Sequence, residues 1–345
     1  MKAAIFSPYL DTLGGGERYT ISFAKCLQEM GWDVYIESSD KLILTKIQKR
    51  LGINTTKLKV VPSINRGNGY DLCFWLSDGS IPTLYARKNI LHFQRPFYGT
   101  DGKSLINRMK FFRINKVLVN SNFTKKWIDN EYPQKSFVLY PPVDVRSFKS
   151  GKKVNTILSV GRFSLLEQSK RQDVLIDVFK TLFDERNSVL RKEKWQLIVA
   201  GGSDVGRTHY VDDLIQKSKH YPITILENPP FVKIQSLFSQ AKIYWTAAGY
   251  DVDENTKPEK VEHFGITVVE AMAAGCVPMA LDAGGHREIL NDSNGILWST
   301  KDGLKKQTQE IIDNPRQLNA LKKKAVNDAI MYSYEEFCKH IKEIL

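Results

Sequence analysis

The chain has 345 residues, of which 42% are hydrophobic and 26% are charged, and this composition excludes a disordered protein. The length exceeds one ordinary hydrophobic core and fits two domains of about 150–190 residues each. The net charge of +12 lies almost entirely in residues 1–150, which contain 23 Lys and Arg against 12 Asp and Glu.

Short apolar segments alternate with amphipathic segments along the first 140 residues. A strand is predicted over 2–7, and a glycine triplet at 14–16 leads into a helix predicted over 17–30. Further strands are predicted at 33–37 and near 58–62, 71–75, 90–93, 116–120 and 136–140. Because this alternation is typical of a parallel sheet with helices on both faces, we predict a doubly wound α/β domain.

A turn-rich segment from Tyr140 to about Lys153 interrupts this pattern, which then begins again. Strands are predicted at 156–160, 195–200, 223–226, 242–246 and 277–281, and helices at 171–183, 301–313, 315–331 and 334–345. We therefore predict a Rossmann-like domain over 1–150, a second over 151–330, and a C-terminal helix over 331–345 that packs back toward the first. Two such domains that face each other across a central cleft would bind ligands at the carboxyl ends of their strands.

Two glutamates eight residues apart, Glu262 and Glu270, flank the start of a predicted helix. The amides of Phe264, Gly265 and Ile266 would be the unpaired donors of that helix, and a helix N-terminus favours an anion such as a diphosphate. Ionised carboxylates beside it can accept hydrogen bonds from sugar hydroxyls. In isolation, Glu270 would only complement the helix dipole and Glu262 would be a solvated loop residue.

The surroundings of these glutamates favour the binding site. The segment Glu-His-Phe-Gly-(x4)-Glu-Ala-Met-Ala-Ala-Gly-x-x-Pro at 262–278 resembles the signature of glycosyltransferase family 4, a family of retaining enzymes with the GT-B fold. Five further segments resemble motifs of that family in the same order, at 14–18, 119–124, 140–144, 159–172 and 284–288. The resemblance covers nearly the whole chain and implies an acceptor-binding first domain and a nucleotide-sugar-binding second domain.

The resemblance also implies roles for individual residues. Glu270 would hold the nucleotide ribose and Glu262 a hydroxyl of the donor sugar, while the amides of 264–266 would meet the sugar or the phosphates. Arg162 and Lys170 would neutralise the diphosphate leaving group, a role suited to permanent cations. The remaining implied contacts are Gly15 and Gly16 beside the phosphates, Phe231 in the base-binding segment and His92 as a catalytic residue that touches the donor sugar. Without the resemblance, the glycines would form only a turn and His92 would be a packed core histidine.

The implied reaction is transfer of a hexose with retention of configuration. The acceptor hydroxyl would enter on the face from which the diphosphate leaves, without an enzyme nucleophile. The resemblance implies no metal, because enzymes with this fold usually need none, so we expect no metal and no other cofactor. The acidic stretch at 249–260 resembles the mannosyltransferases that extend dolichol-linked oligosaccharides and favours GDP-mannose, while UDP-sugars stay open. The expected acceptor is a glycan or a lipid-linked saccharide, as in cell-envelope or polysaccharide biosynthesis.

Three alternatives keep the same fold or the same charge. A sugar-nucleotide epimerase or a glycogen-synthase-like enzyme would share the GT-B architecture, and a catalytically idle scaffold would share its shape. The intact glutamates and cations argue against the scaffold. A nucleic-acid-binding protein would explain the positive charge but would need a basic groove with stacking aromatics, and it would leave the paired glutamates unused. We therefore expect no nucleic-acid partner.

The basic excess is concentrated between Asp101 and Asp129, where seven basic residues and no acidic residue occur. Apolar residues interleave with the cations, which predicts an amphipathic helix near 104–115. We predict that this helix binds an anionic membrane surface through a set of basic residues and one exposed aromatic ring. The set is Lys103, Arg108, Lys110, Phe111 and Arg113. The alternative is a helix packed on the sheet with a solvated basic side.

The expected location is the cytoplasm, at the cytoplasmic face of a membrane. No apolar run reaches the ~18–20 residues needed to span a bilayer. The four cysteines are scattered without a Cys-x-x-Cys pair, which favours reduced thiols over a metal site or a disulfide framework.

Overall fold

The computed structural model of the chain describes residues 1–11, 15–165, 168–203 and 209–345, apart from the side chain of Arg50. The chain divides into two compact units, Met1–Pro142 together with Tyr334–Leu345, and Val143–Ser333. Each unit is a parallel sheet with helices between its strands, as predicted. In the described ranges, no helix is long and apolar enough to cross a membrane.

The first unit contains a seven-stranded sheet in the order β3-β2-β1-β4-β5-β6-β7. Its strands are buried along most of their length, as expected when helices cover both faces of a parallel sheet. Its elements are β1 (Lys2–Phe6), α1 (Gly15–Glu29), β2 (Asp33–Glu37), α2 (Ile43–Leu51), β3 (Lys59–Val61), β4 (Leu72–Leu76), β5 (Lys88–Phe93), α3 (Leu105–Phe111), β6 (Lys116–Val119), α4 (Asn122–Glu131) and β7 (Ser136–Val138).

The second unit contains a six-stranded sheet in the order β10-β9-β8-β11-β12-β13. Counted from its own first strand, this is the order of the first six strands of the other unit. Its elements are β8 (Val154–Val160), α5 (Gln172–Asp184), α6 (Val189–Lys192), β9 (Gln196–Gly201), α7 (His209–Ser218), β10 (Ile223–Glu227), α8 (Phe231–Gln240), β11 (Ala241–Thr246), α9 (Ile266–Ala273), β12 (Val277–Leu281), α10 (His286–Ile289), β13 (Ile296–Trp298), α11 (Lys301–Asp313) and α12 (Pro315–Ala329). The strand order reverses between β8 and β11, the position where such sheets bind ligands.

The unit boundary lies between Pro142 and Val143, eight residues before the predicted position. The segment after it belongs to the second unit because Phe148 packs edge-on against Phe231 and Phe238 at 5.9 and 5.4 Å. The second unit ends at Ser333, three residues after the predicted 330.

The last helix, α13 (Tyr334–Ile344), belongs to the first unit. Phe337 and Ile341 are buried in the same core as α1 and β1. The ring of Phe337 meets Tyr19 edge-on at 5.2 Å, and Lys116 Nζ donates to the Ile344 carbonyl at 2.6 Å. The final residues of the chain therefore complete the core of its first domain.

The basic helix differs from its prediction in two respects. Helix α3 ends at Phe111, four residues before the predicted end near 115. Phe111 is also buried, at 7% exposure, and packs near Tyr132, with ring centroids 6.0 Å apart. The prediction that Phe111 is exposed is therefore wrong, because the turn of the helix directs its neighbour Phe112 outward instead, at 89% exposure. Arg113 is also held in place, since its Nε donates to the Leu84 carbonyl at 2.5 Å.

Candidate active site

The chain leaves β8 through Gly161 and Arg162, at the point where the strand order reverses. A Cβ atom on Gly161 would lie 2.6 Å from Cγ of Lys170, so the glycine leaves room for the lysine stem to cross the end of the strand. Arg162 is exposed, and its side chain has no ion-pair partner among the residues that the structure describes. Both predicted diphosphate ligands therefore lie at the carboxyl end of this sheet.

Lys170 and Glu262 form an ion pair, with Nζ 2.5 Å from Oε2 and both side chains mostly buried. Burial alone would raise the pKa of Glu262, but the charge and the hydrogen bond of Lys170 outweigh it and lower that pKa to about 2. Glu262 is therefore ionised at neutral pH. The same loop makes a second contact, because Gln168 Nε2 lies 2.5 Å from His263 Nδ1.

A glycine pair supports the backbone of this segment. The amide of Gly285 donates to the Glu262 carbonyl at 2.8 Å. A Cβ on Gly284 would lie 2.2 Å from the carbonyl oxygen of Glu262, and one on Gly285 would lie 2.4 Å from that of His263. The sequence identifies Gly284 and Gly285 as part of a motif, but only the fold shows that they support the backbone of Glu262.

The acidic stretch at 249–260 contributes one side chain to the same support. Glu254 Oε2 accepts from the amide of Gly284 at 2.7 Å, and its Oε1 pairs with Arg287 Nη1 at 2.5 Å. Arg287 is also bound to Asp282, with Nε 2.6 Å from Oδ1. Glu254 therefore ties the loop after β11 to the loop after β12.

Helix α9 begins at Ile266, after Gly265 in the left-handed region at φ +114°. The first amides of such a helix have no partner within it and are available to an anion. Phe264 is buried and meets Tyr332 edge-on at 5.4 Å, so its ring serves packing. The predicted ligand there is the backbone of 264–266.

Glu270 is the fifth residue of α9, and it is buried at 7% exposure. Tyr244 locates it relative to Glu262. Burial raises the pKa of the Tyr244 phenol well above its usual range, and the negative charges of Glu262 and Glu270 raise it further. Its hydroxyl donates to Thr267 Oγ1 at 2.8 Å. The charges of both glutamates therefore act on one buried tyrosine, which contacts the first turn of α9.

His286 lies behind the turn at Gly265. Its ring is fully buried, its Nδ1 lies 2.9 Å from the Leu281 carbonyl, and a Cβ on Gly265 would lie 3.3 Å from its Cδ2. Burial lowers the pKa of His286, and the charge of Glu262 opposes that shift only in part. A neutral imidazole therefore backs the start of α9, a feature that the sequence analysis missed.

The other predicted ligands occupy separate places. Gly15 and Gly16 form the first turn of α1, with Gln94 Nε2 donating to the Gly16 carbonyl at 3.0 Å, while Gly14 lies outside the described residues. Phe231 is the first residue of α8 and is partly buried. These placements leave their predicted contacts with the donor as predictions.

His92 is fully buried in the first unit. Its ring stacks on Tyr19 with centroids 4.1 Å apart, and its Nδ1 lies 3.1 Å from the Leu118 carbonyl. Burial lowers its pKa to about 3, so the ring is neutral. In this structure the ring lies in the core, and its catalytic role stays a prediction.

Across the described part of the chain, no three His, Cys, Asp or Glu side chains are grouped in a way that could hold a metal ion. Metal independence nevertheless stays a prediction.

Known structures assign the fold. The Anabaena protein Alr3699/HepE, solved in complex with UDP and glucose, superposes with a TM-score of 0.75 over 100% of this chain and 99% of its own, at 16% identity. Two Rossmann-like domains with these strand orders define the GT-B class of glycosyltransferase folds. The chain belongs to the family of glycosyl transferases group 1, whose model matches residues 143–328.

Two sequence relatives are named as mannosyltransferases. A Dictyostelium discoideum protein named GDP-Man:Man(3)GlcNAc(2)-PP-Dol alpha-1,2-mannosyltransferase is 27% identical over 66% of this chain and 47% of its own length. The alpha-1,3/1,6-mannosyltransferase ALG2 of the same organism is 26% identical over 67% of this chain and 60% of its own length. The chain thus spans about half the length of the curated relatives it matches.

Proposed function

We propose that this chain is a retaining glycosyltransferase that moves a hexose from a nucleotide-diphospho-sugar to a lipid-linked or glycan acceptor. The observation that carries the proposal is the grouping of Lys170, Glu262 and Glu270 at the carboxyl end of the second sheet. This grouping offers a cation for a diphosphate and two carboxylates for hydroxyl groups within one family-matched unit.

The donor that we favour is GDP-mannose. Two relatives are named as mannosyltransferases, and the name of one specifies GDP-mannose and a dolichol-diphosphate acceptor. A UDP-sugar remains the second candidate, because a protein of the same fold was solved with UDP and glucose.

The reaction proceeds on one face of the sugar. The acceptor oxygen bonds to the anomeric carbon while the bond from that carbon to the diphosphate oxygen breaks, and the acceptor proton passes to the leaving phosphate. Lys170 and Arg162 neutralise the charge that develops on the diphosphate, assisted by the amides of 264–266. Glu262 fixes a sugar hydroxyl and Glu270 the ribose, which holds the anomeric carbon in place. Because these residues supply the charge stabilisation, the reaction needs no metal.

The proposed acceptor implies that the protein works at a membrane. A lipid-linked saccharide presents its sugar at the membrane surface, and the first unit carries the basic excess. We propose peripheral attachment at the cytoplasmic face.

The test is product formation by the full chain. GDP-mannose, UDP-glucose, UDP-galactose and UDP-N-acetylglucosamine are first compared by thermal shift, where a ligand at 100 times its Kd adds about 2.7 kcal/mol of stability. The donor that shifts unfolding is then incubated with a lipid-linked oligosaccharide, with and without EDTA, and NMR of the product reports its anomeric configuration. Epimerised donor without a glycosylated acceptor, or an inverted product, would overturn the proposal.

A further inference from the structure

The first unit exposes four apolar side chains within a segment of eight consecutive residues, 105–112. Leu105 is 76% exposed, Ile106 67%, Met109 63% and Phe112 89%. We call these four residues the apolar arc. Exposure of apolar side chains to water is unfavourable. A contiguous group of exposed apolar side chains therefore marks an interaction surface more often than scattered ones do.

The geometry of α3 explains why they share one side. Successive residues turn by about 100° around a helix, so these four positions fall within about 120° of one another. Phe111 lies on the opposite side, in the core that includes Tyr132. Phe111 therefore anchors the helix to the sheet, and the apolar arc faces away from that core.

The charges around the apolar arc have one sign. Lys103 and Arg108 are exposed and Lys110 is half-buried, and the sequence has no carboxylate between Asp101 and Asp129. Arg113 lies over the ring of Tyr85 at 5.4 Å, and Tyr85 is itself 47% exposed. An apolar surface flanked by cations and an amphipathic aromatic ring fits the interface of an anionic bilayer.

Two cations of the same tract do not contribute. Lys125 pairs with Asp129 at 2.7 Å, and Lys116 is bonded to the backbone of α13. Of the other five cations, Lys103, Arg108, Lys110 and Arg113 lie within or next to α3, and Lys126 is exposed on α4.

We infer that the apolar arc inserts into the headgroup layer of an anionic membrane, with Phe112 in the role first predicted for Phe111. The inference rests on the peripheral attachment proposed above and adds to it the side chains that enter the lipid. The cations hold the surface near the leaflet, and the apolar arc enters to a depth of about 5–10 Å.

The experiment measures flotation of the full chain with phosphatidylcholine vesicles that contain or lack phosphatidylglycerol. Leu105→Ser/Met109→Ser removes half of the apolar arc. The matched control is Leu42→Ser/Met331→Ser, since those residues are 64% and 55% exposed elsewhere. We expect the first variant to bind anionic vesicles at least about tenfold more weakly than the parent protein, and the control to bind as the parent does. Because the chain already contains six tryptophans, Phe112→Trp is compared with the parent protein and should add emission that brominated lipid quenches.

Three results would overturn the inference. The first is equal vesicle binding by the parent protein and Leu105→Ser/Met109→Ser. The second is emission at position 112 that brominated lipid does not quench. The third is a dimer, seen by light scattering, that the parent protein forms and this variant does not, while neither protein binds vesicles. Thermal shifts with nucleotide sugars on the same samples separate the two proposals. Flotation that depends on the apolar arc, without any thermal shift by a nucleotide sugar, would reject the transferase proposal and support the membrane-binding inference.

Discussion

Lys170 Nζ lies 2.5 Å from Glu262 Oε2, although the two residues are 92 positions apart in the sequence. The family resemblance assigns them to different parts of the donor, one to the diphosphate and one to the sugar. Their pairing holds both side chains in place without a donor, so the proposed donor site is partly preorganised.

Loss of this pair should reduce both stability and catalysis. Lys170→Met leaves a mostly buried carboxylate unpaired, so we expect about 1–3 kcal/mol lower unfolding free energy at pH 7 and a kcat lower by about 100-fold. Chemical denaturation and donor turnover measure the two effects. The control is Lys217→Met, whose partner Asp177 is about one-third exposed, and it should cost under about 1 kcal/mol.

The pH dependence of the same variant gives a sharper test. The pKa of Glu262 falls from its ordinary value of 4.5 to about 2, so its stabilising contribution is complete above pH 4.5 and is lost as the pH falls toward 2. The difference between the parent and Lys170→Met should therefore shrink over that window. A difference that stays constant from pH 7 to pH 3 would contradict the pairing.

Glu270 should decide nucleotide binding. Loss of a hydrogen bond to a charged group costs about 1.5–3 kcal/mol, so Glu270→Ala should weaken donor binding by about 10–100-fold and reduce the thermal shift accordingly. Glu310→Ala, an exposed glutamate of α11, is the control and should leave the shift unchanged. An undiminished shift in Glu270→Ala would place the nucleotide elsewhere.

Gly285 should tolerate no side chain. Gly285→Ala would push a Cβ to within 2.4 Å of the His263 carbonyl, so we expect about 1–3 kcal/mol of destabilisation together with loss of transfer activity. Gly303→Ala, within helix α11, should change stability by no more than about 1 kcal/mol and keep activity. If both variants behave alike, the close approach at Gly285 is not a constraint.

His92 should make the protein sensitive to acid. Its pKa of about 3 lies below the ordinary 6.5, so the unfolded chain takes up the proton more readily and stability falls as the pH drops from 6.5 toward 3. His92→Phe should flatten that slope, whereas His340→Gln, exposed on α13, should not.

Donor turnover by His92→Phe tests the role implied by the resemblance. A kcat that falls by about 100-fold in a variant that is stably folded at pH 7 would support a catalytic His92. Unchanged turnover would assign the histidine to the core in which the structure places it.

The sequence predicted the strands that build the site, because short apolar runs bounded by turn residues are typical of the buried strands of a parallel sheet. It also located Glu262 and Glu270, whose spacing is local. It could not find the Lys170–Glu262 pair or the support of Glu262 by Gly285. Both depend on which loops meet at the sheet edge, and no local pattern records that.

The two phenylalanines of α3 illustrate the same limit at short range. Phe111 and Phe112 are adjacent and chemically identical, and a seven-residue helix offers too few turns to fix its phase from apolar spacing alone. The neighbourhood of Tyr132 decides which ring is buried. Tertiary packing, rather than composition, thus selects the exposed residue.

Helix α13 has a consequence for the order in which the protein can fold during synthesis. Domains usually fold from the N-terminus onward as the chain leaves the ribosome. Here the core around Tyr19 also needs Phe337 and Ile341, which are made only after residues 143–333. The second unit can therefore complete its packing first. Until the last helix is synthesised, part of the apolar surface of residues 1–142 stays exposed. A nascent chain in that interval would be most vulnerable to proteolysis and aggregation in its N-terminal half.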